Sequence, residues 1–444
     1  MRSPAELAGA APLLDVLRRH RSGEAVGMTS VCSAHPLVLD AAVAQAVEDR
    51  TVLLVEATSN QVDQYGGYTG MRPADFRDLV LRSAERGGLL PERIVLGGDH
   101  LGPNTWRDHE SGPAMAKADD LVRAYVAAGY AKIHLDCSMA CAGEDSPLTD
   151  AVVAQRAARL ARVAEEAAVA TFGHSDLVYV VGTEVPVPGG AHEAIHELTP
   201  TSAEAARATL AAHREAFSSA GVGEAFDRVV ALVVQPGVEF DAQQVVDYDH
   251  ERTARLRQVV DDPDAPPMLV LEAHSTDYQT VARLTQLVED HWAVLKVGPG
   301  LTFALREALF ALATMENELV PTGERSNLVD VVDQVMLARP KWWERYYEGD
   351  DREKALARRY SYSDRLRYYW PDSAIVAAHE RLLANLRRAG ISLPMLSAHL
   401  PEQYARIRAG DLVAEPAAIA VDRVRDVLRG YAAACTNEPS RSTT

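Results

Sequence analysis

The sequence predicts an α/β fold, a (β/α)8 barrel followed by a C-terminal helical extension. Three observations predict it. Eight short apolar runs alternate with longer Ala-, Leu- and Arg-rich stretches whose apolar residues recur at helical spacing. The runs are apolar almost throughout, as strands buried on both faces are. Nearly every run ends in polar, chemically competent residues. Strand–helix alternation implies a parallel sheet, because parallel strands need a crossover. Eight repeats favour closure, which brings the strand ends to one mouth, where barrel enzymes place their sites. In an open sheet the same residues would spread along an edge.

The runs cover residues 28–32, 52–56, 94–98, 132–136, 177–182, 229–234, 268–272 and 293–297. Ser33 and His35 follow the first, Thr58 and Asn60 the second, and Asp99 and His100 the third. Asp136 and Ser138 close the fourth, Glu184 follows the fifth, Gln235 the sixth and His274 the seventh, and Gly298 and Gly300 follow the eighth. Helical patterns occupy 75–86, 112–129, 150–168, 202–220 and 276–290, with a further amphipathic stretch at 301–315. Beyond it the chain reads as all-helical to about 434, with an aromatic cluster from Trp342 to Trp370 that suits a subunit interface or a core of its own. The expected division is therefore a barrel with an N-terminal helix over 1–315, a helical extension over 316–434, and a polar, frayed tail over 435–444.

Composition narrows the function. The chain has 444 residues, 47% hydrophobic and 24% charged, an ordinary globular make-up. Its 63 acidic against 45 basic residues give a net charge of −18, which repels nucleic acid and anionic lipid. An anionic substrate then needs a local cationic or metal-lined site. Cys32, Cys137, Cys141 and Cys435 form neither a zinc-type nor a CxxC pattern, which favours a reducing, cytoplasmic compartment. The first 27 residues read as an amphipathic helix rather than a signal peptide. No stretch approaches the ~18 uninterrupted apolar residues of a membrane span.

Three segments carry chemistry. In Gly97-Gly98-Asp99-His100, two glycines allow close backbone approach and a carboxylate stands beside an imidazole. The carboxylate can orient the ring or act as a base; a structural hydrogen bond accounts for the pair equally well. In Glu272-Ala273-His274-Ser275-Thr276, His274 ends a strand across the mouth from His100. Two such imidazoles point to a metal site, with Glu184 and Gln235 as the best oxygen donors to complete it; core histidines satisfied by backbone are the alternative. In Lys296-Val297-Gly298-Pro299-Gly300, a strand gives way to a helix whose first N–H groups can bind phosphate. Ser275 and Thr276 are expected to assist there, and Asn60 and Ser138 to touch substrate. No GxxxxGK[ST], GxSxG or HExxH motif appears.

Longer segments carry a family resemblance. Ser30 to Pro36, Glu56 to Val62, Gly66 to Met71, Gly97 to Asn104, His134 to Met139, Gly182 to Pro186 and Glu272 to Thr280 resemble the Z-type subunit family of D-tagatose-1,6-bisphosphate aldolase. The resemblance covers most of the chain, tail included. It implies a barrel of the class II aldolase type, in which Asp99 serves as catalytic acid/base and His100 and His274 as metal ligands. A further histidine ligand expected on the preceding strand is replaced by Gln235-Pro236-Gly237. Family members are described as non-catalytic partners of a class II aldolase, as tagatose-6-phosphate kinases, or as metal-dependent ketose 4-epimerases. The expectation drawn here is a C4 epimerase of D-tagatose 6-phosphate and D-fructose 6-phosphate, or a related ketohexose. It uses a divalent metal, zinc or manganese, with Asp99 and Glu184 as catalytic groups, and acts as a homo-oligomer; the alternative is a subunit supporting an aldolase.

Overall fold

A computed structural model describes residues 7, 9–183 and 198–436. Its core is a closed barrel of eight parallel strands: β1 (Met28–Val31), β2 (Leu53–Thr58), β3 (Ile94–Leu101), β4 (Lys132–Leu135), β5 (Val178–Val181), β6 (Val229–Val233), β7 (Val270–Ala273) and β8 (Trp292–Val297). β1 closes the ring by pairing with both β2 and β8. The helices around it start where local chemistry dictates. Thr149, Ser202 and Thr280 cap first-turn N–H groups, and the helices Pro36–Asp49, Pro73–Gly87 and Pro299–Leu319 open on proline, whose missing N–H costs nothing there.

The strand period of two sorts the barrel interior into layers. At the bottom, Leu13 and Leu17 of the helix Ala11–Arg21 plug the barrel against Met28, Leu54, Val270 and Val294. Two residues further along the same strands stand Ser30, Glu56, Glu272 and Lys296, joined by Lys132 of β4. The Lys132 ammonium lies 2.7 Å from Glu56 Oε1 and 2.7 Å from Glu272 Oε2. Lys296 lies 3.6 Å from Glu56 and 3.7 Å from Glu272. Glu56, Lys132 and Glu272 are shut off from solvent and Lys296 nearly so, so each charge persists only because the others neutralise it.

Gly97 and Gly98 take part in this layering. A Cβ on Gly97 would stand 2.6 Å from Glu56 Cγ, and one on Gly98 2.6 Å from Leu101 Cδ1. The glycines thus make room for the charged layer and for the outer packing of β3.

Several sequence expectations shift. The pattern at 276–290 becomes a helix only from Val281 to Glu289, because Ser275 and Tyr278 adopt positive φ and Asp277 turns back on the chain. The 315 boundary falls inside the helix Pro299–Leu319. The last helix, Pro416–Thr436, packs against the helices Pro36–Asp49, Val281–Glu289 and Pro299–Leu319 and against β1. Cys435 and Thr436, grouped with the polar tail, belong to this helix, where the Cys435 carbonyl accepts from Gly27 N at 2.8 Å; 437–444 lie outside the described residues. In the aromatic cluster Trp343, Tyr347, Tyr369 and Trp370 are buried, while Tyr360 stays 67% exposed.

Gly102 is extended, but a Cβ there would meet the Asp136 carbonyl oxygen at 1.8 Å. Gly102→Ala must therefore push β3 away from the end of β4. The expected cost is about 1–3 kcal/mol of stability, read as an earlier midpoint in urea unfolding.

Candidate active site

Three imidazoles and a carboxylate converge above the charged layer. Asp99, His100, His134 and His274 are buried and offer ligand atoms that all lie within 4.8 Å of one another. Ring centroids are 4.9 Å apart for His100 and His274, 5.0 Å for His100 and His134, and 5.3 Å for His134 and His274. The ladder between β3 and β4 breaks between Gly98 and Leu101, and His100 takes a left-handed φ of 50°. For a residue with a Cβ that conformation is strained, and surrounding structure must hold it.

A buried carboxylate orients each ring. His100 Nδ1 lies 2.8 Å from Asp136 Oδ2, His134 Nδ1 2.8 Å from Asp99 Oδ1, and His274 Nε2 3.1 Å from Glu272 Oε1. The carboxylates take the ring N–H groups, which leaves lone pairs on His100 Nε2, His134 Nε2 and His274 Nδ1. His134 Nδ1 is also 3.2 Å from the His100 N–H, but an ionised Asp99 is the stronger partner. Among the described residues His134 Nε2 has no hydrogen-bond partner although it is buried, an expensive arrangement unless the atom is a ligand. Carboxylate-anchored imidazoles are the usual support of a metal centre. Among the described residues, and before any imidazole is counted, Glu56, Asp99, Asp136 and Glu272 face only Lys132 and Lys296. The excess of two negative charges matches a divalent cation, so the residues present fit one.

Electrostatics fix the protonation states. Burial would raise the Asp99 carboxyl, but His100, Lys296 and His134 outweigh it and hold it well below the usual carboxylate range. Burial likewise opposes ionised Glu272, and Lys132 and Lys296 overcome it. Burial, reinforced by Lys296, pushes His274 down to about 3, and burial also lowers His134. Burial disfavours the Lys296 ammonium, yet Asp99 and Glu56 raise it well above an ordinary lysine.

An open cavity leads to this floor. Asn60, Ser275 and Gly298 line it, together with Tyr68, Arg367 and Tyr368. Other expected residues lie elsewhere. Ser138 donates to Asp136 at 2.7 Å, behind His100. Thr276 is buried, donating to the Lys296 carbonyl at 2.6 Å. The Gln235 side-chain oxygen accepts from Gly237 N at 2.8 Å and Val238 N at 3.0 Å, so that atom closes its own turn and the third imidazole comes from β4. The N–H groups of Gly298 and Gly300 donate to Asp277 Oδ1 at 2.9 and 2.7 Å. Their expected phosphate cradle is thus filled by the chain's own carboxylate. Glu184 lies outside the described residues. His134 was missed as a candidate ligand, although Lys132, His134 and Asp136 alternate on one face of an otherwise apolar strand. Arg367 and Tyr368 carried no local signal.

Anchored rings above a floor of net negative charge, at the mouth of a closed barrel, place the chain among metal-dependent barrel enzymes. Residues 13–436 match the family described as D-tagatose-1,6-bisphosphate aldolase subunit GatZ/KbaZ-like, and the chain belongs to that family. The crystal structure of a probable tagatose 6 phosphate kinase from Sinorhizobium meliloti 1021 shares 45% identity, covers 92% of this chain and 100% of that one, and superposes with a TM-score of 0.84. A fructose-bisphosphate aldolase from Campylobacter jejuni matches at 12% identity over 85% and 92% of the two chains, with a TM-score of 0.43. The YdjI aldolase from Escherichia coli K12 matches at 12% over 85% and 94%, with a TM-score of 0.37. Likenesses as remote as these last two add nothing about the site.

Two outcomes are expected. His134→Ala removes the ring whose Nε2 lacks a partner, and bound metal per chain after dialysis, measured by elemental analysis, falls at least as far as in His274→Ala. Gln235→Ala leaves it unchanged. The second concerns the hairpin Glu239–Phe240/Val245–Val246, which sets Phe240 against the cavity. Burial pushes Glu239 up to about 7. The stability its protonated form contributes is complete below the ordinary glutamate value of about 4.3 and is lost as pH rises through about 7. Urea unfolding at about pH 5 and pH 8 should show a smaller loss in Glu239→Gln than in the parent.

Proposed function

We propose that this chain is a metal-dependent C4 epimerase of a ketohexose 6-phosphate, interconverting D-tagatose 6-phosphate and D-fructose 6-phosphate or a closely related pair. The observation that carries the reading is an ionised, buried Asp99 opening onto the same cavity as two anchored imidazoles, His100 and His274, with a third, His134, buried within ligand reach of them. A purely supporting subunit has no chemical use for that combination. The sugar in the name of the Sinorhizobium meliloti relative agrees with the substrate; the kinase in it has no counterpart here in a GxxxxGK[ST] loop.

His100, His134 and His274 would hold the cation, and an all-nitrogen set favours zinc. When bound, it supplies Lewis acidity that draws charge from the ketose C2 carbonyl. Asp99 accepts the proton of the C4 hydroxyl as the C3–C4 bond breaks and its electron pair moves toward C2. The products within the cavity are a three-carbon enediolate and an aldehyde. The aldehyde turns its other face, C3 attacks it, the C3–C4 bond re-forms, and Asp99 returns the same proton to O4. Nothing is oxidised or reduced. Lys296 and His134 hold Asp99 ionised between cycles, while Asp136 and Glu272 keep the His100 and His274 rings aimed.

Purified chain with a divalent metal and fructose 6-phosphate should form tagatose 6-phosphate, followed by NMR or chromatography. Asp99→Asn should lower kcat by about 10²–10⁴-fold. No product from the metal-loaded parent, or undiminished turnover in the variant, sinks the reading. If the parent is inert but prolongs or raises the activity of a class II aldolase, the subunit role in the family's description takes its place.

A further inference from the structure

The cavity floor carries an excess of negative charge, yet its wall holds an arginine from the far end of the chain. Arg367 and Tyr368 lie on a 3-10 turn, Arg365–Tyr368, within the helical extension. The turn is fastened to the barrel just before it begins. Asp364, at a left-handed φ of 40°, pairs with Arg306 at 3.3 Å and accepts from Thr302, both on the helix that follows β8. Arg306 also donates to the Ser361 carbonyl at 3.2 Å, and Tyr278 donates to the Tyr362 carbonyl at 2.6 Å. Tyr368 stacks flat on Trp342, with centroids 4.7 Å apart and planes 5° from parallel. Arg367 is therefore held rigidly.

Its partners are all neutral. Arg367 donates to the carbonyls of Ser363 and Asp364 and, at 3.0 Å, to Tyr368 Oη. It forms no ion pair among the described residues. The carboxylates whose field it feels are engaged elsewhere: Asp364 by Arg306, and Asp277 by the N–H groups of Gly298 and Gly300. Behind it, Arg365 is 1% exposed, with its guanidinium 3.2 Å from the Tyr346 ring centre and its Nε and Nη2 lacking hydrogen-bond partners among the described residues. Two guanidinium groups without carboxylate partners among those residues, one of them buried, make this wall a positive region in a molecule of net charge −18. Burying such charge is costly unless an anion offsets it.

We propose that Arg367, with Tyr368 and the field of Arg365 behind it, binds the phosphate of a phosphorylated ketose, so that the helical extension rather than the barrel supplies the phosphate subsite. The proposal rests on the ketose reading for its ligand but not on turnover. A guanidinium suits a phosphate because it offers paired N–H donors in a plane. The β8–helix turn, the usual place in barrels, is unavailable because Asp277 occupies its donors. Placing the dianion on the extension also keeps it off the acidic floor, where Asp99 and Glu272 would repel it.

Calorimetric titration of the metal-loaded protein tests this with fructose 6-phosphate, fructose and inorganic phosphate as probes. The parent should bind fructose 6-phosphate well above fructose. Arg367→Gln should weaken fructose 6-phosphate and inorganic phosphate by about 10- to 100-fold and leave fructose unchanged, and Arg367→Lys should recover part of the loss. Circular dichroism melts establish that the variants fold. Asp99→Asn separates the two readings, since it should lower turnover by the factor given above but keep phosphate-dependent binding. Undiminished fructose 6-phosphate binding in a folded Arg367→Gln, or equal loss for fructose, overturns the proposal. Phosphate-selective binding without epimerisation upholds it while removing the epimerase.

Discussion

Two buried ammonium groups inside the barrel set the charge state of everything above them. Lys132 is shut off from solvent beside Glu56 and Glu272, and Lys296, at the foot of the cavity, stands among Glu56, Glu272 and Asp99. Isolated, any of these charges would neutralise itself rather than endure burial. Together they stay ionised, and the carboxylates so maintained orient two of the imidazoles and supply the base. The layer thus links folding to chemistry: the contacts that make a charged interior tolerable also prepare the site. Ser30 belongs to it too, donating to Glu56 Oε1 at 2.6 Å.

Strand alternation turns a linear sequence into this stack. On β2, Leu54 faces the apolar plug and Glu56 the charged layer; on β7, Val270, Glu272 and His274 climb from plug to charge to imidazole. One-residue slippage of either strand would send its charges toward the helices and its apolar residues into the site. Closure of the ring fixes the register at every seam, which is why a barrel can hold several strand-end groups in one small volume.

Much of this was legible in the chain. The eight runs, their helical spacers and the polar residues at their ends specify the barrel, because the periods of strand and helix differ and turn chemistry marks each change. Asp99, His100 and His274 stood out because they interrupt apolar runs. His134 did so as well, but an imidazole inside a strand reads as readily as a satisfied core residue. Gln235 looked like a donor because side-chain chemistry is visible in sequence, whereas its bond to the Gly237 N–H is set by a local turn. The same holds for Gly298 and Gly300, whose donors are consumed by Asp277, a partner more than twenty positions away. Arg367 was illegible for a simpler reason: its placement depends on packing between the extension and the barrel, which no local pattern encodes.

The last helix, Pro416–Thr436, lies against β1 and against helices from both the beginning and the end of the barrel. During synthesis the ribosome releases the N-terminal half-barrel long before this segment, at about 5–20 residues per second. Until Cys435 emerges, Gly27 lacks the carbonyl it donates to and the flank of β1 lacks its cover. Native packing around β1 therefore waits for a segment made some four hundred residues after it, and the nascent chain depends on that late arrival to hide an apolar flank from its neighbours.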